Sequence, residues 1–280
     1  MKNNIYPCIW CNHNAKEMAG LYCSVFPDTK IIAENPVVIM LSIKEQNLML
    51  LNGGKQFQPT PAFSLMYLTA DAQEVETIYN KLIDGGKPLM PLGSYPFSEK
   101  YGWLDDKYGV SWQLYSGKAE NITQSLVPTL MFLGDNNGKA KEAATFYTAI
   151  FPNSKITGML AYTGSEGEIA GNIQHGEFLI NQFLVGLMDS SINHQFIFSE
   201  GMSLVVNCAN QTEIDNYWNA LTADGGADSQ CGWLKDKYGI SWQIIPENIS
   251  SLISQSPKAM QALLKMKKII IADLVAAGVE

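Results

Sequence analysis

No segment of this sequence reaches the ~18 consecutive apolar residues that a bilayer-spanning helix needs. The opening stretch MKNNIYPCIWCNHNAKEMAG holds no long apolar core ahead of a small-residue cleavage site. A cytoplasmic protein with no membrane partner is therefore expected. Positive charge is also scarce: 19 Lys and Arg against 27 Asp and Glu leave a formal net charge of −8. Such a balance argues against a phosphate-binding surface, so nucleic acid is not an expected partner. Cysteine falls short of a framework, because the five residues Cys8, Cys11, Cys23, Cys208 and Cys231 are odd in number and scattered, which fits a reducing compartment. Cys8-Ile9-Trp10-Cys11 spells C-x-x-C, but it falls in a predicted strand whose alternation sends the two sulfurs to opposite faces; buried structural thiols are expected. No Cys-His or Ser-His-Asp arrangement emerges from the spacing, so covalent catalysis has no evident nucleophile.

What is present is a duplication. At 280 residues and 46% hydrophobic content, the chain is long enough for two domains with cores of their own. Tyr101–Leu114 reads YGWLDDKYGVSWQL and Cys231–Ile244 reads CGWLKDKYGISWQI, a constant shift of 130. Phe26–Ile31 recurs as Phe151–Ile156 with a shift of 125, and Asp84-Gly85-Gly86 recurs as Asp224-Gly225-Gly226. Changing shifts mark loop insertions within copies of one fold.

Each copy carries two amphipathic helices. Met18, Leu21, Tyr22 and Val25 match Ala143, Phe146, Tyr147 and Ile150, while Val75, Ile78, Tyr79 and Leu82 match Ile214, Tyr217, Trp218 and Leu221. Short β-rich runs lie between them at Pro7–Cys11, Lys30–Ala33, Val37–Ile43, Leu48–Leu51, Ala62–Leu68 and Gly109–Tyr115. The order within a copy is β-α-β-β-β, repeated. Modules of this kind curl into antiparallel-rich sheets with helices outside and a concave face free to enclose a ligand. The domains are set at 1–118 and 128–248, joined by 119–127 and followed by a tail, 249–280. In that tail Ser256-Pro257 opens a single predicted helix that runs to Gly278 through a basic middle, Lys265, Lys267 and Lys268; it is expected to pack across the two copies.

The stretches MFLGDNNGKAKEAATFYTAIFPNSKI, IQHGEFLINQFLVGLMDSS, NHQFIFSEGMSLVVNC and CGWLKDKYGISWQIIP resemble PhnB-like proteins. These form a branch of the glyoxalase/bleomycin-resistance (vicinal oxygen chelate) superfamily, and many carry the label 3-demethylubiquinone-9 3-methyltransferase. The resemblance is close over 128–278 and weaker over 5–117. It implies an α+β fold of tandem glyoxalase-like domains, each of two βαβββ modules forming a curled mixed sheet, plus a C-terminal helix. Methyl transfer is not expected, because the G-x-G-x-x-G turn of a typical S-adenosylmethionine site is missing.

Metal-dependent relatives hold one divalent ion per cup with His, Glu or Gln from the first, fourth, fifth and eighth strands. Carried onto this sequence, the eighth-strand positions are Gln113 and Gln243, the first strands offer Trp10 and Phe132, and the fifth strands read Phe63-Ser64-Leu65 and Met202-Ser203-Leu204. Neutral amides and hydroxyls are weak partners for Zn²⁺, Fe²⁺ or Ni²⁺, so no cofactor is expected. His175, Glu177 and Gln243 form the alternative metal set; His13 and His194 read as loop residues. Strand parity places Ser241 and Gln243 on one face and Ile240, Trp242 and Ile244 on the other. The expected ligand-binding residues are thus Trp10, Gln113, Phe132, His175, Ser241 and Gln243, with Trp103 and Trp233 as candidate rim residues. The expectation is a small-molecule-binding protein or metal-independent enzyme, acting as a monomer with its copies paired or as a homodimer. The alternatives are a metal-dependent lyase, isomerase or dioxygenase, and an interaction scaffold.

Overall fold

The computed structural model describes residues 4–165, 167–254 and 256–279. Four βαβββ modules follow one another. The first holds β1 (Ile5–Cys11), α1 (Ala15–Val25), β2 (Thr29–Glu34), β3 (Val38–Ile43) and β4 (Gln46–Asn52). The second holds β5 (Phe63–Thr69), α2 (Ala72–Leu82), β6 (Lys87–Tyr95), β7 (Ser98–Asp105) and β8 (Ser111–Ser116). The third holds β9 (Leu126–Phe132), α3 (Ala140–Ile150), β10 (Lys155–Ala161), β11 (Ile173–Ile180) and β12 (Phe183–Asp189). The fourth holds β13 (Met202–Cys208), α4 (Gln211–Thr222), β14 (Ala227–Asp228), β15 (Trp233–Lys235) and β16 (Ser241–Pro246). A tail of α5 (Ile249–Ser254), α6 (Pro257–Lys265) and α7 (Ile271–Val279) completes the chain. The expected α+β architecture of tandem modules is what the chain adopts.

The chain divides into two compact bodies, one of residues 7–202 and one made of the residues from Ser203 onward with the start of β1. The larger body contains an eight-stranded mixed sheet in the order β10-β11-β12-β9-β5-β8-β7-β6. Its centre is the antiparallel pairing of β5 with β9, which sets Ser64 opposite Thr129 and Phe63 opposite Leu130. That ladder joins the second module of the first repeat to the first module of the second repeat, so the hydrogen-bonded sheet is built between repeats. The same body holds β1 from Pro7, β4, β3 and β2, with β1 parallel to β4. The smaller body holds β14, β15, β16 and β13 in that order, with β13 parallel to β16.

The repeated W-L-x-D-K-Y-G-x-S-W-Q stretch owes its residues to a turn and the strand it launches. Asp106 accepts from the backbone N–H groups of Tyr108 at 2.8 Å and Val110 at 3.1 Å, and from the Trp112 indole at 3.1 Å. Asp236 repeats this with Tyr238 at 2.9 Å, Ile240 at 3.1 Å and the Trp242 indole at 2.8 Å. Gly109 and Gly239 take φ of +80° and +83°, the left-handed region that a side chain resists. Both carboxylates are buried, and hydrogen bonds to a charged group contribute about 1.5–3 kcal/mol each. Trp112 packs against Tyr22 and Phe26 of the α1 end, with ring centroids 5.2 and 4.7 Å away. Its strand neighbours Ser111 and Gln113 therefore point to the opposite face.

The five cysteines are free, as expected, with Cys8 and Cys11 both buried in β1. The tail departs from the single helix expected from its sequence. Ser256 does cap α6, accepting from Ala259 N at 3.2 Å, with Pro257 in the first turn. The helix then stops at Lys265, and residues 266–270 form a non-helical segment that bonds to the fourth module. Met266 and Lys267 carbonyls accept from Cys231 N and Gly232 N at 2.7 and 2.8 Å, and Ile269 O accepts from the Gln211 amide at 3.1 Å. Those bonds, with Ile269 fully buried, outweigh helical continuation here.

Candidate functional site

The face of the eight-stranded sheet away from the helices is fixed by register. Phe178 stacks on Tyr147 of α3 with centroids 5.8 Å apart, so its neighbours Glu177 and Leu179 face the other way. Partnered residues across the ladders then form one row, Glu177 with Gly186, Gly186 with Thr129, and Thr129 with Ser64. Gln113 pairs with Met66 on one side and Trp103 on the other. A Cβ on Gly186 would sit 2.7 Å from Thr129 Oγ1, so this row closes only with glycine there.

The middle of the face is polar and neutral. Buried Gln113 donates through Nε2 to Ser64 Oγ at 2.8 Å and accepts at Oε1 from the Tyr101 hydroxyl at 2.8 Å. Trp103 donates its indole N–H to Ser111 Oγ at 2.8 Å. Toward one end Ala62, Met131 and Leu133 form a small core on which Trp103, Met188, Phe196 and Phe198 pack. Phe196 and Phe198 come from the loop after β12, which is pinned by Thr60 Oγ1 donating to Ile197 O at 2.7 Å and Ser199 Oγ to Gln58 O at 2.6 Å.

The rim carries charge. His175 Nε2 lies 3.4 Å from Glu177 Oε1, both side chains being well exposed, and the imidazole beside it holds the Glu177 carboxyl below its ordinary range. Burial raises the pKa of the Tyr115 hydroxyl, and the Glu177 charge adds to the rise. Glu177 on β11 and Tyr115 on β8 are four strand spacings apart, about 19 Å if flat. The Glu177 charge acting on Tyr115 across that span fits a sheet that curls toward a cup.

Of the residues expected to form the site, Gln113, Trp103, His175 and Glu177 share this concave face. Phe132 does not by register: it is the partner of Asp189, which accepts from Gly138 N and Ala140 N at the start of α3, and its ring reaches the site only at the strand end, meeting Phe198 edge-on at 5.5 Å. The inward position is Met131. Matching Pro7 to Pro128 aligns Trp10 with Met131, and reading Phe132 as its counterpart slips one residue and flips the face. Trp10 lies on β1 among β1–β4 residues, donating its indole N–H to Gly54 O at 2.8 Å and meeting Phe57 edge-on at 5.0 Å. Ser241, Gln243 and Trp233 belong to the smaller body, where Gln243 donates to Ser203 Oγ at 3.0 Å and Trp233 pairs with Gln243 in register.

Tyr101, Phe196 and Phe198 escaped the sequence reading. The signal for Tyr101 was its replacement by Cys231 at the head of an otherwise matching repeat. The structure also brings Ser190 Oγ within 3.2 Å of His194 Nε2, a pair that spacing did not suggest. Ser190 donates its hydroxyl to Glu168 Oε1 at 3.1 Å, so its proton is directed to a carboxylate and away from the imidazole.

The sequence model of the 3-demethylubiquinone-9 3-methyltransferase family matches residues 3–115 and 124–245, which is most of both repeats. The chain belongs to this family. A PhnB protein of the same description from Bacillus cereus is 34% identical, with the match covering 41% of this chain and 100% of that one at a TM-score of 0.38. Glyoxalase I from Zea mays shares the fold, matching at a TM-score of 0.58 and 11% identity, and the match covers 87% of this chain and 92% of that one. No curated protein matches the chain.

Within this family member, the cup positions implied to hold a metal do not fit one. On the larger sheet the first-, fifth- and eighth-strand positions are occupied by Met131, Ser64 and Gln113, none of them charged or imidazole, and Gln113 is committed to Ser64 and Tyr101. Among the described residues no three His, Cys, Asp or Glu side chains converge. His175 and Glu177 stand on the rim as a pair without a third strong donor, where a zinc site requires about three.

Proposed function

We propose that the chain binds a small uncharged polar molecule against the concave faces of its sheets, as a binding protein or as an enzyme that works without a resident metal ion. One observation carries this reading: both repeats place a buried neutral amide–hydroxyl pair, Gln113 with Ser64 at 2.8 Å and Gln243 with Ser203 at 3.0 Å, where metal-dependent relatives are implied to hold their ion. Amides and hydroxyls recognise carbonyl, amide and hydroxyl groups through directed hydrogen bonds, and they remain neutral across the physiological pH range. Aromatic walls supplied by Trp103, Tyr101 and Phe198 suit the apolar part of such a ligand. Methyl transfer is not part of the proposal, since the sheets are mixed and no G-x-G-x-x-G turn is present. Free cysteines, with Cys8 and Cys11 deeply buried, support a reducing cytoplasm as its compartment.

The test is elemental mass spectrometry of the untagged protein, paired with thermal shifts on adding Zn²⁺, Ni²⁺, Mn²⁺ or Fe²⁺ and, separately, neutral amides, ketones and alcohols. Stabilisation by a neutral molecule with no bound metal is the expected result. Near one ion per chain, lost in H175A or E177Q, would instead establish metal-assisted chemistry at the rim pair.

A further inference from the structure

The two repeats end in nearly the same words, yet their polar centres are finished differently. In the first, every group has a partner: Gln113 gives to Ser64 and takes from Tyr101, and Ser111 takes the Trp103 indole N–H. In the second, Gln243 gives to Ser203 at 3.0 Å, but no donor among the described residues reaches its Oε1. The residue at the Tyr101 position is Cys231, and its thiol turns away to Leu263 O at 3.6 Å. Ser241 Oγ, the counterpart of the satisfied Ser111, is buried with no hydrogen-bond partner among the described residues, in a residue only 2% exposed.

A buried hydroxyl without a partner forfeits the hydrogen bonds that water would give it, which costs stability. Here the orphan lies two residues from an unanswered amide oxygen, on the same face of β16, with the Trp233 ring on the adjacent strand and face. We infer that the Ser241–Gln243 face of the fourth module is the chain's ligand site, and that it takes a small neutral molecule presenting an N–H or O–H donor beside a carbonyl, such as a primary carboxamide or lactam. The donor answers Gln243 Oε1, and the carbonyl accepts from the Ser241 hydroxyl. The first repeat's centre is closed on itself and acts as structure. This inference rests on the neutral-ligand reading above and narrows it to one face and one arrangement of donor and acceptor.

Two measurements on the full chain test it. Without ligand, S241A removes an unsatisfied hydroxyl and is expected to raise the melting temperature by about 2 °C, whereas S111A breaks the Trp103 bond and lowers it by about the same amount. An S241A melting temperature that falls like that of S111A overturns the proposal, because Ser241 is then partnered internally. With benzamide as the probe and methyl benzoate as the control lacking a donor, indole and side-chain amide signals are followed by ¹H–¹⁵N NMR. Shifts at Trp233 and Gln243 with benzamide, weakened at least tenfold for methyl benzoate and abolished in Q243M, are the expected result. Shifts at Trp103 and Gln113 would sink the location while leaving the neutral-ligand reading intact; no shift at either centre, from benzamide or from the wider neutral panel, sinks both.

Discussion

The Tyr22 hydroxyl donates to Asp106 Oδ2 at 2.7 Å, tying the helix of the first module to the turn that launches the last strand of the second. Burial holds the Asp106 carboxyl above its ordinary value against the opposing hydrogen bonds from Tyr22, Tyr108, Val110 and Trp112.

Loss of this tie should be costly. Y22F leaves the carboxylate one hydrogen bond short and is expected to destabilise by about 1.5–3 kcal/mol in urea unfolding. A change below about 0.5 kcal/mol would show that the bond does little for stability.

The same carboxyl gives a pH signature. Its native pKa lies above the unfolded one, so the folded chain binds its proton more tightly. Its contribution to stability is then greatest in acid and declines as pH rises from about 4 through the native value. The stability gap between wild type and D106N should shrink over that rise. A gap that stays constant between about pH 3.5 and 7 would contradict the raised pKa.

Curling of the larger sheet is testable through Tyr115. E177Q removes the charge that adds to the Tyr115 shift, while burial, the larger cause, remains. The Tyr115 titration, followed by ¹³C NMR at Cζ, should move down and yet stay above the usual tyrosine value of about 10. An unmoved titration means the cup does not close far enough for the two groups to interact.

Gly53 is a steric hinge for Trp10, since a Cβ there would lie 2.1 Å from the indole ring. G53A should therefore displace the ring, break its bond to Gly54 O and lower stability by about 1–3 kcal/mol, with a shift in tryptophan fluorescence. Unchanged fluorescence and stability would show that the loop yields instead.

The tail segment makes a local prediction. Removing residues 266–280 strips the acceptors from Cys231 N and Gly232 N, so hydrogen exchange at those two amides should accelerate by at least tenfold relative to the amides of β16. Equal protection in the truncated chain would mean the segment adds nothing to that edge.

Much of the fold was legible because both copies carry the same anchoring chemistry: Asp106 and Asp236 with their turns, Trp112 and Trp242 beneath the helices, and helix stripes such as Val75, Ile78, Tyr79 and Leu82. Pairing was not legible, since the alternation of Ser64 and Thr129 reveals which side each faces but not that β5 lies against β9. The misplacement of Phe132 has the same origin, because in a strand flanked by apolar residues on both faces a slip of one leaves the pattern equally plausible. The tail misled through helix-forming residues on both sides of Met266, where backbone bonds to Cys231 and Gly232 prevail. The contrast between Ser111 and Ser241 lay beyond sequence altogether, as identical Ser-Trp-Gln triplets differ only in what their surroundings return to them.

The β5–β9 ladder crosses the joint between the two copies, and this bears on how the gene could be divided. A cut in residues 119–127 looks natural from the repeat, yet each product would carry a central strand with one edge left open, β5 beside β8 in one and β9 beside β12 in the other. Expressed separately, the fragments would have to recombine, with each other or with a second copy of themselves, before that sheet could exist.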